Sequence, residues 1–265
     1  DRTAVTLAPI QPAPGAVRPP IGDPILEARN LTRRFGGLVA TDSVSLTLRE
    51  GEVIGIIGPN GAGKTTLFNL LSGFLPPSAG TVRLRTPTGW VSPTAAHQFA
   101  RAGIGRTFQV VQPFAGMTVR ENIMLGAFAG GGDAGNEADR VAELVGLHHL
   151  RDLPARNLTV GGLKRLEVAR ALAMRPRVLL LDEVMAGLNP ADVAQAIELV
   201  RRVRDSGVSI IAIEHVMAAI MAISDRVIVI NSGRIIAEGT PAAIAQDKVV
   251  IEAYLGEEYV AAQAA

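Results

Sequence analysis

The nine residues GPNGAGKTT, Gly58 to Thr66, follow the apolar run EVIGII and open a helical pattern. Gly58, Gly61 and Gly63 let consecutive backbone amides curl around an anion, and a helix start adds the positive end of its dipole. Pro59, Asn60 and Ala62 complete the cradle. Lys64 brings a charge to the outer phosphates of a nucleotide, and Thr65, followed by Thr66, offers a hydroxyl to Mg2+. The strand-to-helix context is the one this phosphate-binding P-loop pattern requires.

Three further stretches carry groups that would serve such a site. VLLLDE, Val178 to Glu183, is a buried strand ending in two carboxylates. Asp182 would hold Mg2+ beside the loop, and Glu183 would polarise an attacking water. In IIAIEHV, His215 stands just past another apolar strand and would contact the terminal phosphate. Gln109, in RTFQ, ends a short apolar segment and would reach the metal or the water, although spacing alone does not single it out. A fifth stretch, LTVGGLKRLEVAR at 158–170, places two glycines at a helix start after Thr159. Leu163, Leu166, Ala169 and Leu172 recur there at helical spacing and predict one buried face.

The elements that must position these groups alternate. Strands are expected at Ile25 to Leu31, Val44 to Leu48, Glu52 to Ile57, Gly80 to Arg85, Val178 to Leu181, Val208 to Ile213 and Arg226 to Ile230, with helices between most of them. Lys64 to Leu71 reads as a helix. Another begins at Asn189 as N-cap with Pro190 first, and has Val193, Ile197 and Val200 on one face. Residues from about 110 to 173 look mainly helical, broken by a glycine loop at Gly130 to Gly132. Arg226 to Ile230 and Arg234 to Glu238, joined by NSG, predict a hairpin. Strands separated by helical crossovers imply an α/β fold with a mainly parallel sheet.

Bulk properties exclude several classes. The 265 residues include no cysteine, which rules out disulfide and thiolate chemistry, and a net charge of +1 points to no nucleic-acid partner. No stretch approaches the roughly 20 apolar residues that span a bilayer. Residues 1–24 hold six prolines and read as a flexible arm. Residues 261–265 are read as a short tail.

In order, these stretches resemble the ATP-binding subunit of ABC transporters over roughly residues 25–260. The resemblance implies a single ABC ATPase domain with a P-loop NTPase core. It also implies an antiparallel β portion near the N-terminus and a helical subdomain at about 110–173 inserted in the core. Phe35 matches the aromatic platform for adenine, Gly58 to Thr66 the Walker A loop and Gln109 the Gln loop. Leu158 to Gly162 matches the signature, Leu179 to Glu183 the Walker B strand, Ala186, Gly187, Leu188 and Asn189 the D-loop, and His215 the switch histidine. The signature is degenerate: Thr159 keeps a hydroxyl, Val160 replaces the first glycine, Gly161 is retained, and Gly162 replaces the glutamine. In the family this motif contacts the ATP held by a second ATPase subunit, so its change bears on the partner's site. Asn189 replaces the common D-loop aspartate, and Val184 the usual proline.

Finer elements, RFGG at 34–37, AGLNP, and the stretch from EHVMAAIMAISDRV to the VIEAYLGEE end, are similar to ATPase subunits of branched-chain amino-acid importers. That implies ATP and Mg2+ as ligands, transmembrane permease subunits as partners, an indirect solute-binding protein, and a place at the cytoplasmic face of the inner membrane. The short segment between Gln109 and the signature implies a smaller permease-docking surface. A soluble ABC-type ATPase with a non-transport partner and a non-hydrolytic nucleotide-binding regulator stand as the alternatives.

Overall fold

The structure, a computed structural model, describes residues 18–108 and 112–255; Gln109 therefore lies outside the described residues. In chain order the strands and helices of the first half are β1 (Pro24–Phe35), β2 (Leu38–Arg49), β3 (Val53–Ile57), α1 (Lys64–Leu71), β4 (Ala79–Thr86), β5 (Gly89–Val91), α2 (Ala96–Arg101) and β6 (Ile104–Arg106). Then come α3 (Val119–Gly130), α4 (Ala134–Leu144), α5 (Val160–Ala173), β7 (Val178–Asp182), α6 (Pro190–Asp205), β8 (Ser209–Ile213), α7 (Met217–Ile223), β9 (Arg226–Asn231), β10 (Arg234–Gly239) and α8 (Pro241–Ile244). They fall into two compact units, one of residues 21–102 and 209–255 and the other of residues 103–208, counting the described residues.

In the first unit, β3 pairs in parallel with both β8 and β9. Every residue of β3 and β8 is buried, which is why VIGII and SIIAI read as unbroken apolar runs. A separate antiparallel sheet runs β2-β1-β4-β5. Strands β1 and β2 are longer than the sequence pattern predicts, because clear alternation covers only part of each, as at Val44–Leu48 in β2. The β9–β10 hairpin forms as expected. Its turn residues Ser232 and Gly233 both have positive φ, 47° and 76°, the geometry of a two-residue hairpin loop.

In the second unit, β6 and β7 pair in parallel, with Arg106 opposite Leu180. The short strand β6 was not anticipated. Helices α3, α4 and α5 account for the predicted helical section, with the chain turning at Gly131 and Gly132. Two sequence expectations are corrected. In α5 the burial is not one-sided: Leu166, Ala169 and Leu172 are buried, but so are Arg165 and Glu167, while Leu163 is only half-buried. In α6 the core face is Leu199, Val200 and Val203, so Val193 and Ile197 are only half-buried. Apolar spacing located both helices but not their faces, because α5 is covered on most sides and α6 packs along a neighbouring row.

Candidate functional site

In the first unit the phosphate loop emerges from β3 and enters α1. Gly63 caps α1 in a left-handed conformation at φ 102°, and a β-carbon there would strike the backbone carbonyl of Ala40. Only glycine fits that position. Gly58 also lacks room for a side chain, since a β-carbon would meet the carbonyl of Ile230. The hairpin tip braces the loop: Gly233 N–H donates to the Ala62 carbonyl at 2.9 Å. Lys64 is buried, and its Nζ donates to the carbonyls of Gly58 at 2.6 Å and Pro59 at 2.9 Å. Its charge is thereby fixed on the loop. Asn60, Gly61 and Thr65 are exposed, and Thr66 is half-buried.

Two more sequence-predicted residues lie in this unit. Phe35, at the end of β1, is 43% exposed, with the Arg33 guanidinium 4.7 Å from its ring centroid. It is not a core aromatic, and Arg33 lies over its ring in a cation–π contact. His215 is exposed two residues past β8, the direct parallel neighbour of β3. The strand that precedes His215 therefore lies directly beside the phosphate-loop strand.

In the second unit, Asp182 ends β7 and is buried. Its Oδ2 accepts from Arg106 Nη2 at 3.1 Å, and its amide donates to Thr107 Oγ1 at 3.0 Å. Burial pushes the Asp182 carboxyl up from the ordinary aspartate range, and Arg106 pulls it back. Burial lowers the Arg106 guanidinium, which Asp182 partly offsets. Glu183 follows at φ 51°, a left-handed conformation unusual for this residue, and its carbonyl accepts from Lys164 Nζ at 3.0 Å.

The signature stretch starts α5. Thr159 is its N-cap, with Oγ1 accepting from Gly162 N–H at 3.2 Å, so the hydroxyl that replaces the family serine has a structural task. Val160 is 58% exposed. Gly161 is buried, and a β-carbon there would come within 3.2 Å of the Asp192 carboxylate. After Ala186, Gly187 and Leu188, Asn189 caps α6: its Oδ1 accepts from Asp192 N–H at 2.9 Å and its Nδ2 donates to Asp192 Oδ2 at 2.8 Å.

Four functional neighbours escape sequence reasoning: Arg106, Thr107, Lys164 and Glu167. Arg106 and Thr107 stand inside the quoted RTFQ, where a basic and a hydroxyl residue within an apolar segment are a signal. Their partner, however, is set by the β6–β7 register. Lys164 and Glu167 are masked by the ordinary look of a basic helix.

Comparisons with known proteins agree with this arrangement. Residues 41–186 match the ABC transporter family, and residues 234–260 match the family described as branched-chain amino acid ATP-binding cassette transporter. The high-affinity branched-chain amino acid transport ATP-binding protein LivG of Salmonella typhimurium is 43% identical over 256 residues, covering 89% of this chain and all of that protein. BraF of Pseudomonas aeruginosa, of the same description, is 41% identical, covering 88% of this chain and 98% of that protein. Among solved structures, the ADP conformation of MJ1267, an ATP-binding cassette of an ABC transporter, superposes with a TM-score of 0.80 at 32% identity, covering 88% of this chain and 99% of that one. A glycine-lined phosphate loop, a strand ending in Asp182 and Glu183, and a family match across both units make this chain a member of the ABC transporter ATP-binding family, an ATPase of the transporter type.

Proposed function

We propose that this chain hydrolyses ATP to drive an importer of branched-chain amino acids or a related small solute. The observation that carries the choice of cargo is the match of residues 234–260, which lies outside the stretch matched by the general ABC family. No helix among the described residues is long and apolar enough to cross a membrane. The likeness to ATP-binding proteins of branched-chain amino acid transport supports a place at the cytoplasmic face of the inner membrane, working through separate permease subunits fed by a solute-binding protein.

In this reading the nucleotide phosphates lie on the amides of Gly58 to Thr66 with Lys64 as counter-charge, and adenine stacks on Phe35. The Thr65 hydroxyl, the Asp182 carboxylate and Gln109 would hold Mg2+. The described donors are hard oxygens, suited to an ion that takes most of its ligands from phosphate and water. When bound, the ion neutralises charge on the phosphates. Glu183 accepts the proton of the attacking water, and His215 donates to the terminal phosphate. Two ATPase subunits face each other, and Thr159, Val160, Gly161, Gly162 and the D-loop residues Ala186 to Asn189 approach the nucleotide of the partner. Loss of the family glutamine removes one hydrogen bond, about 1 kcal/mol, which leaves the partner's site workable.

Turnover of Mg-ATP by the purified chain, followed against protein concentration beside Glu183→Gln, tests the chemistry. A specific rate that rises with concentration and vanishes in the variant is expected. An unchanged rate in the variant would favour a nucleotide-binding regulator instead. Uptake of labelled leucine by cells with and without the intact chain tests the cargo.

A further inference from the structure

Gly161, Lys164, Glu167 and Arg170 follow one another at three-residue spacing along α5. Each step advances about 4.5 Å along the axis and drifts about 60° around it, so the row winds about halfway round the helix and its members face different neighbours. Each member touches a different part of the second unit. Gly161 abuts the Asp192 carboxylate in the first turn of α6. Lys164 Nζ donates to the Glu183 carbonyl at 3.0 Å. Glu167 Oε1 accepts the Phe108 amide, and Arg170 Nη1 donates to the Gln112 carbonyl at 3.0 Å. The Arg170 guanidinium also lies 5.4 Å from the Phe114 ring centroid. Phe108 and Gln112 are the described residues on either side of the stretch that contains Gln109.

The three hydrogen bonds just named all run between a side chain of this row and backbone atoms of other segments. A side chain bonded to backbone fixes where a loop runs whatever the loop's own residues are. Glu167 is the least expected of them: it is buried in mid-helix, and its Oε2 has no hydrogen-bond partner among the described residues. A buried carboxylate left half-satisfied costs stability, and a small apolar residue would pack there without that cost. A buried carboxylate at that cost points to a role other than packing. Lys164 and Arg170, one turn away on either side, supply the charge that offsets it, while burial raises its carboxyl above the ordinary range.

We propose that Lys164, Glu167 and Arg170 are positioning residues that make α5 a rigid coupling rod. Displacement of its signature end by a partner subunit is carried to the backbone of Glu183 and to both flanks of Gln109. The proposal rests on the assignment of Glu183 and Gln109 to the hydrolytic machinery.

Hydrogen–deuterium exchange on the full chain tests it, for Glu167→Ala, Glu167→Gln and Lys164→Met. In Glu167→Ala, the peptide covering residues 107–113 is expected to exchange at least fivefold faster, with the α3, α4 and α6 peptides unchanged. Glu167→Gln, which keeps an acceptor oxygen for the Phe108 amide, is expected to restore protection. Lys164→Met should loosen the peptide that begins at Glu183. In ATP turnover, measured in the assembled transporter if companion subunits are required, kcat should fall about tenfold in Glu167→Ala with KM within twofold. Unchanged exchange at 107–113, faster exchange spread through α3, α4 and α6, failure of Glu167→Gln to rescue, or kcat within twofold of the parent would each overturn the proposal. Were Glu167→Ala not to fold, unchanged exchange after Lys164 in Lys164→Met would overturn it. Glu183→Gln run in parallel separates the two readings. If that variant is inactive while Glu167→Ala is fully active, only the coupling rod fails; if it remains active, the assignment of Glu183 beneath it fails.

Discussion

Arg106 and Asp182 are each less than a tenth exposed, so neither charge is well hydrated and each depends on the other. Removing one partner of such a pair typically costs about 3–5 kcal/mol, because the other is left buried and alone. Arg106→Met is therefore expected to lower stability by an amount of that order in urea unfolding. The loss should depend on pH. Burial already raises the Asp182 carboxyl above its ordinary 3.8, and without Arg106 the rise is larger. An acid held more tightly in the folded state loses stability as pH climbs from its unfolded value, so the deficit of Arg106→Met should be smaller near pH 4 than at pH 7. At the phosphate loop, Gly63→Ala meets both a left-handed φ of 102° and the Ala40 carbonyl. A cost of about 1–3 kcal/mol and loss of nucleotide binding are expected, read by thermal melting and a fluorescent ATP analogue.

Among the elements, the helix starts were the most legible. Asn189, Pro190 and the capped turn of α6 were readable because capping is decided within four residues. Asn189→Ala should destabilise the fold by about 1 kcal/mol by denaturant midpoint, and Asn189→Asp should retain most of the cap. The buried strands β3, β7 and β8 were equally plain, since strands covered on both faces read as apolar runs. Less legible were helix faces. A row at three-residue spacing on α5 carries two cations and one carboxylate, which from sequence alone is indistinguishable from a solvated surface.

At the scale of the whole molecule, the two units interleave along the chain: residues 21–102 and 209–255 form one, and the segment between them in sequence folds with itself. If ATP holds two copies together, Glu183→Gln, which would bind but not hydrolyse it, should double in apparent mass by light scattering when Mg-ATP is added. The parent chain should return to the monomer as ATP is consumed. A variant that stays monomeric at all ATP concentrations would show that a different companion chain completes the site.

The phosphate loop, the acidic strand end, the hairpin turn and the cap of α6 were legible in the sequence alone, since each depends on residues within a few positions of one another. So was the family, because those local motifs occur in a fixed order. Tertiary structure alone decided which distant residues meet. Arg106 finds Asp182 across 76 positions through the pairing of β6 with β7. Glu167 finds Phe108 across 59 positions through the packing of α5. Strand register and helix rotation fix such contacts, and both answer to the whole core rather than to any local run of residues.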